Sequence, residues 1–292
     1  MEPHLRQPLI GRALAAALLA GVLALAWLQS RSPLARALAE GRPVLGWLRL
    51  DGKGPELFLT VYQPVRRTLE LVYLPGETSS RIDTLVPGLG LSTGLPLWHG
   101  ERETGSDEPP LDAADWVARL AHEPRSWPRA LSRAEAGESP PWPWFDRLLL
   151  ALELQRLGPQ DLRPAWLPPE DQAGALLSRL ILGAGRADGP PTPEHITVEV
   201  LNASGQPGIA SRAKNILRLQ GADVMSVGNV AAQARTVVYD RTGRFEDAAA
   251  VARMLDCPAA RPLTKVDLKR LVDVSVVLAE DCPLSQPHRL GR

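Results

Sequence analysis

The sequence predicts an α+β protein with an N-terminal transmembrane helix, an irregular α/β middle region and a C-terminal βαββαβ sandwich. Three observations predict it. Residues 13–28 form an apolar run without a charged or strongly polar side chain. Residues 44–74 alternate as short strands punctuated by Gly and Pro. Beyond Pro190-Pro191-Thr192-Pro193, strand and helix periods follow one another cleanly. The corresponding division is a cytoplasmic N-terminus at 1–12, an anchor at 13–28, a juxtamembrane linker at 29–43, a middle region at 44–185, a Pro-rich linker at 186–194, a C-terminal domain at 195–282 and a tail at 283–292.

The apolar run reaches about 24 Å as a helix, and Leu9, Ile10 and Gly11 extend it if Arg12 snorkels toward the headgroups. A bilayer core of about 30 Å is therefore within reach. Arg6 and Arg12 precede the run and favour a cytoplasmic N-terminus, while Trp27 suits an interfacial belt. Arg31 and Arg36 on the far side weaken that orientation. A cleaved signal peptide is the competing reading, but Ala37-Leu38-Ala39 lies far beyond the usual cleavage distance from Leu28. Either reading puts the rest of the chain outside the cytoplasm, and a buried soluble helix is the third. Ala17 and Gly21 have small-xxx-small spacing, which alanine-rich spans often show by chance.

Composition narrows the function. The 292 residues carry 33 Lys+Arg against 33 Asp+Glu, which argues against a nucleic-acid surface. Apolar residues at 45% exclude wholesale disorder despite 28 Pro. The eight Trp all lie between Trp27 and Trp166, so the two halves are built differently. His4, His99, His122, His195 and His288 fall into no zinc-ligating spacing, so no metal and no cofactor is indicated. Asp107-Glu108 reads as solvated charge in a polar loop.

In the middle region, Val44–Leu50, Glu56–Tyr62 and Thr68–Leu74 read as strands. Leu57, Leu59 and Val61 fall on one face of the second, with Phe58, Thr60 and Tyr62 on the other. Gln63 to Arg67 connects an antiparallel pair. Helices are expected at Leu111–His122, Trp144–Leu157 and Glu170–Leu182, each entered after prolines. Gly90-Leu-Ser92-Thr-Gly94 matches the nucleophile-elbow expression, but Pro87-Gly88 before it and Leu95-Pro96 after it deny the strand and helix that motif needs.

In the C-terminal part, Ile196–Leu201, Asp223–Val227, Arg235–Tyr239 and Val272–Leu278 are strands. Ile209–Leu219 and Phe245–Leu255 are helices. The order βαββαβ predicts a four-stranded sheet with both helices on one face, a split-βαβ, ferredoxin-like sandwich. Cys257 and Cys282 end the second helix and follow the last strand, so a disulfide is geometrically allowed; two buried thiols are the alternative. Asn202, Ser204, Gly205 and Gly208 form a turn at a helix N-terminus, where free backbone N–H groups suit an anion or sugar. The same residues equally serve a tight turn alone. The Gly-x-x-Gly spacing is also seen in RNA-binding folds, but residues 194–282 carry eleven basic and eleven acidic side chains with only Tyr239 and Phe245 as aromatics.

Val198-Glu-Val-Leu-Asn202-Ala-Ser-Gly205-Gln-Pro-Gly208-Ile-Ala210 resembles the opening of the LytR C-terminal domain family, and the later helix and strands fit it over about 195–282. That domain commonly follows a LytR-CpsA-Psr domain, a family that transfers lipid-pyrophosphate-linked glycopolymers to peptidoglycan. The strands through Pro75-Gly76-Glu77-Thr78 look like that family's second and third, and the helix Phe145–Leu157 resembles its late helix in position. Asp51 is similar in place to its acidic residue, making Asp51 and Glu56 the catalytic candidates. Where the family has pyrophosphate-gripping arginines, this chain has Gly54 and Gly76 and no Arg-Gln pair on the late helix. Those changes remove the cationic donors phosphoryl transfer depends on. The resemblance implies a membrane-anchored bacterial envelope protein, the bulk of it extracytoplasmic. Its C-terminal module is expected to bind peptidoglycan or an envelope-assembly partner without catalysis. A divergent phosphotransferase around Asp51 and Glu56 is the alternative.

Overall fold

The computed structural model describes residues 7–51, 56–75, 97–101, 108–122, 143–168, 170–182 and 196–284. Gly54, Gly76, the Gly90–Gly94 stretch and the 186–194 linker lie outside the described residues.

Helix α1 (Gln7–Arg31) is apolar on all sides, and none of its Ala13–Arg31 window is buried against the rest of the protein. A helix with no polar face and no protein cover is long and apolar enough to cross a membrane. The segment expected as a juxtamembrane linker is instead helical. α1 runs on to Arg31, and Ser32 then caps α2 (Pro33–Ala39), its Oγ accepting from the Ala35 N–H at 2.8 Å. A Ser cap followed by Pro at the first helical position is a strong local start signal.

Strands β1 (Val44–Asp51), β2 (Glu56–Gln63) and β3 (Thr68–Leu74) form an antiparallel meander. β1 buries every second residue, as a sheet with one strongly packed face requires. β4 (Leu97–Glu101) adds in parallel outside β1. Helices α3 (Pro109–His122) and α4 (Trp144–Leu154) follow, then β5 (Leu162–Trp166), parallel to β3, and α5 (Glu170–Leu182).

The C-terminal part is β6 (Thr197–Asn202), α6 (Ile209–Leu219), β7 (Asp223–Asn229), β8 (Val237–Asp240), α7 (Phe245–Met254), β9 (Arg261–Thr264) and β10 (Val274–Leu278). This corrects the ferredoxin-like expectation. An additional strand, β9, follows α7, so β6-α6-β7 and β8-α7-β9 are each a βαβ unit with adjacent parallel strands. β10 lies between the units, parallel to β6 and antiparallel to β8. In a split-βαβ sandwich the two strands flanking a helix are separated by a third; here they touch.

Among the described residues the two parts share one ten-stranded sheet, in the order β4-β1-β2-β3-β5-β9-β8-β10-β6-β7. The junction is the parallel contact of β5 with β9 at Ala165 and Thr264. On one face, Phe58, Tyr62, Leu69 and Leu71 pack under α2, α3 and α4, and this core runs on to Val237, Tyr239, Leu263 and Val277 through Leu111 of α3. On the other face, Leu59, Val61 and Val72 pack under α5, while Val198, Val200, Val238 and Val276 pack under α6 and α7. Alternation along β2 and β8 sends neighbouring residues to opposite cores, as the pleat demands.

Candidate functional site

The turn after β6 is built from its own side chains. Asn202 Oδ1 accepts from the Ser204 N–H at 3.0 Å and from its hydroxyl at 2.8 Å, while Asn202 Nδ2 donates to the Gln206 carbonyl at 3.0 Å. The Gln206 N–H donates to Ser204 Oγ at 3.1 Å. Asn202 and Ser204 are buried, so their polar groups are engaged in shaping the turn. Gly205 and Gly208 have φ of 71° and 77°, a region that disfavours a Cβ, and Gly208 is the N-cap residue of α6. The residues the turn presents to solvent are Gly205, Gln206, Pro207 and Gly208. It sits at the carboxyl ends of three mutually parallel strands, β6, β7 and β10. Two bonds stitch those ends together: Val230 N–H to the Asn202 carbonyl and Ala203 N–H to the Leu278 carbonyl. Crevices at the carboxyl ends of parallel strands are the usual ligand locations in open α/β sheets.

The catalytic candidates lie elsewhere. Asp51 is exposed at the end of β1, 3.1 Å from Arg49 Nε, and Glu56 opens β2 opposite Leu50. β1 runs against β6 in the sheet, so Asp51 and Asn202 terminate strands of opposite polarity, with six strands between β1 and β6. Among the described residues, no group of three His, Cys, Asp or Glu side chains is arranged to hold a metal ion.

The structure also assembles polar clusters at the seam between the two parts, which the sequence does not announce. Glu108, expected as solvated loop charge, is enclosed instead: it accepts from Tyr239 OH at 2.5 Å and from Trp166 Nε1 at 2.7 Å. Lys265 Nζ lies 3.7 Å from the same carboxylate and 4.5 Å from the Trp166 ring. Burial first, and then the Glu108 charge and hydrogen bond, push the Tyr239 hydroxyl far above its ordinary value. Asp115 bridges to Arg261 at 2.6 Å and Arg235 at 3.3 Å. On the opposite face, Glu70 of β3 sits across from Arg163 of β5, whose guanidinium reaches Glu246 of α7 at 2.6 Å and Glu70 at 3.7 Å. Burial raises the Glu70 carboxyl to about 8 against the pull of Arg163. Partners 58, 83, 131 and 146 residues apart in the chain have no local signature, so only the fold reveals them.

Further into the C-terminal part, Asp240 accepts from the N–H groups of Thr242 and Gly243 and from the Thr264 hydroxyl, locking the turn into α7. Its carboxyl is raised by burial, with these hydrogen bonds opposing. Arg241 donates to Ser275 Oγ at 2.7 Å and stacks over Tyr239, and Ser275 donates to Glu199 at 2.5 Å. Cys257 and Cys282 are bonded Sγ to Sγ with their Cα atoms 5.8 Å apart, closing the end of α7 onto the segment after β10.

Two βαβ units flanking a central strand, with a glycine-bearing turn at the carboxyl ends of β6, β7 and β10, define the C-terminal part as a small α/β module. Residues 195–281 match the family described as LytR cell envelope-related transcriptional attenuator, so a LytR C-terminal domain occupies that segment. A solved structure, the solution structure of the C-terminal domain of RV0431, is similar at 30% identity over 32% of this chain and 79% of that one, with a TM-score of 0.22. No curated protein matches.

Proposed function

We propose that this chain is a membrane-anchored cell-envelope protein of bacteria that uses its LytR C-terminal domain to bind wall glycan or an envelope-assembly partner, without chemistry of its own. In this reading 13–28 is an uncleaved anchor with the N-terminus cytoplasmic, and the remainder stands outside the membrane. The observation that carries it is the coupling of an envelope-related domain at 195–281 to a helix apolar on every side. The exposed stretch Gly205–Gly208, on the turn shaped by Asn202 and Ser204, is the binding surface. Pro207 has no N–H and that of Gln206 is held by Ser204, so the Gly205 and Gly208 N–H groups at the start of α6 are the donors for carboxylates and hydroxyls of a wall polymer. The 2.6 Å and 2.7 Å contacts that occupy Arg163 and Arg241 tie those cations to the fold and so support a non-catalytic role. An extracytoplasmic location also suits the Cys257–Cys282 bridge.

The full-length chain in detergent micelles, mixed with isolated peptidoglycan sacculi and centrifuged, should pellet with them. Gly205→Asp should release it: nothing lies within 4 Å of the position of its Cβ, Asp is among the side chains that adopt the left-handed region at least cost, and it sets a negative charge on the turn; a melting temperature close to that of the parent separates lost binding from backbone strain. A chain that stays in the supernatant without the substitution refutes glycan binding.

A divergent LytR-CpsA-Psr phosphotransferase is the second reading, favoured by the β1–β2 register, which sets Asp51 and Glu56 at one strand end. It requires release of phosphate from a polyprenyl pyrophosphate analogue, abolished by Asp51→Ala.

A further inference from the structure

α4 presents an exposed apolar stripe that no described residue covers. Trp144, Leu148 and Leu152 recur every four residues, the spacing of one helical face, and are 60%, 48% and 45% exposed. The opposite face is buried through Asp146, Leu150 and Leu154, and Phe145 and Ala151 are buried at the two edges of the stripe. A surface helix normally turns charge toward solvent on its outer face, so three large apolar side chains there call for a partner.

The position of α4 identifies it. Ser32, the residue joining α1 to α2, donates through Oγ to Asp146 Oδ1 at 2.5 Å, and both are buried. Leu34 of α2 shares a core with Leu150 and Ala151 of α4. The first turn of α4 is therefore fastened to the C-terminal end of α1. At that end Arg31 stacks over Trp27, 4.6 Å from the ring centroid, with Trp27 55% exposed. A Trp–Arg pair at the end of an apolar helix is the composition of a headgroup layer.

We propose that α4 is an interfacial helix, its Trp144–Leu148–Leu152 stripe seated in the lipid surface beside the point where α1 leaves the bilayer. The proposal rests on α1 spanning the membrane. Arg31 and Arg36 are exposed at the same junction and supply cations for anionic headgroups. A second protein copy fits less well, because three half-exposed side chains offer a few hundred Å² at most against the about 800 Å² per partner of a stable interface. Lipid demands no such area, since the anchor already holds the stripe at the surface.

The test uses the full-length chain in vesicles of phosphatidylethanolamine and phosphatidylglycerol, with one nitroxide label at V22C, L148C or N215C. Cys257 and Cys282 are bonded to each other, so the introduced thiol is the one labelled. Oxygen and nickel-chelate collision rates then report depth. The expected order is V22C near the bilayer centre, L148C about 5–10 Å inside the headgroup boundary, and N215C on α6 in water. V22C in lipid with L148C in water overturns the interfacial helix and leaves the anchor standing. V22C in water overturns the anchor, and the interfacial helix with it. Spin–spin broadening at L148C, reporting a second copy on the stripe, also overturns the proposal.

Discussion

Replacing Glu70 by Gln should make the protein more stable at neutral and alkaline pH, against the general expectation that removing a charged partner from an ion pair is damaging. Glu70 is 6% exposed between β3, β5 and α7, with Arg163 and Glu246 facing it and Arg66 nearby. Burial raises its carboxyl from 4.5 to about 8, and the repulsion of Glu246 adds to that, while Arg163 and Arg66 pull the other way. The folded state thus binds the Glu70 proton more tightly than the unfolded chain does. Between pH 4.5 and 8 the unfolded chain has lost that proton and the folded one keeps it, so stability falls as pH rises. At about 1.36 kcal/mol per pH unit, the cost is about 3 kcal/mol at pH 7 and levels off at about 5 kcal/mol above pH 8.

Gln keeps the shape and a hydrogen-bonding amide while removing the ionisation, and Arg163 retains Glu246 at 2.6 Å. Thermal melting of both chains in a non-ionic detergent, from pH 5 to pH 9, separates this effect from the rest. Asp247, raised to about 6 by burial, contributes a similar slope to both proteins and cancels in the difference. The two melting curves should meet near pH 5 and part by about 5–10 °C at pH 7 and above, with Gln the more stable. Parallel profiles across that range would falsify the buried, proton-retaining Glu70.

Two other outcomes follow from the seam and the bridge. Reducing Cys257–Cys282, or replacing Cys257 by Ser, should cost about 3.5 kcal/mol through the chain entropy of a loop spanning 25 residues; a melting temperature indifferent to dithiothreitol would contradict it. Asp115→Ala should cost about 0.5–1 kcal/mol at low ionic strength and less at high salt, because Arg235 and Arg261 each remain about one-third exposed. A double-mutant cycle with Arg261→Ala, read by urea unfolding, checks this: simple additivity would remove the coupling.

The elements legible in the sequence are those whose burial pattern is local. β6, α6 and α7 keep one apolar face, and their periods place them within a residue or two of where they fold. β5 and β9 are illegible for the opposite reason. Each is five residues or fewer and carries a proline, Pro164 and Pro262, a residue that normally argues against an interior strand. They become strands only because partners distant in the chain, Leu71 and Val238, lie alongside them. Missing β9 is also what made the C-terminal part resemble a four-stranded split-βαβ sandwich. Asn202 and Ser204 were readable as a turn because their side-chain hydrogen bonds reach no further than four residues. Glu108 was not, because its partners lie 58 and 131 residues away.

The same seam changes what the Pro-rich stretch before residue 195 means for the molecule. Tyr239 and Trp166 donate to one carboxylate from the two sides of that stretch. Leu111, 1% exposed, lies in one core with Val237, Leu263 and Val277, and the sheet runs through β5 and β9 without a break. Separating the parts would strip apolar cover from the Tyr239 face and leave Glu108, Asp112 and Asp115 without the cations that face them. The middle region therefore contributes to the LytR C-terminal domain as a physical wall, whatever its ancestry. That wall is held by Leu111, Trp166 and the Asp115 ion pairs.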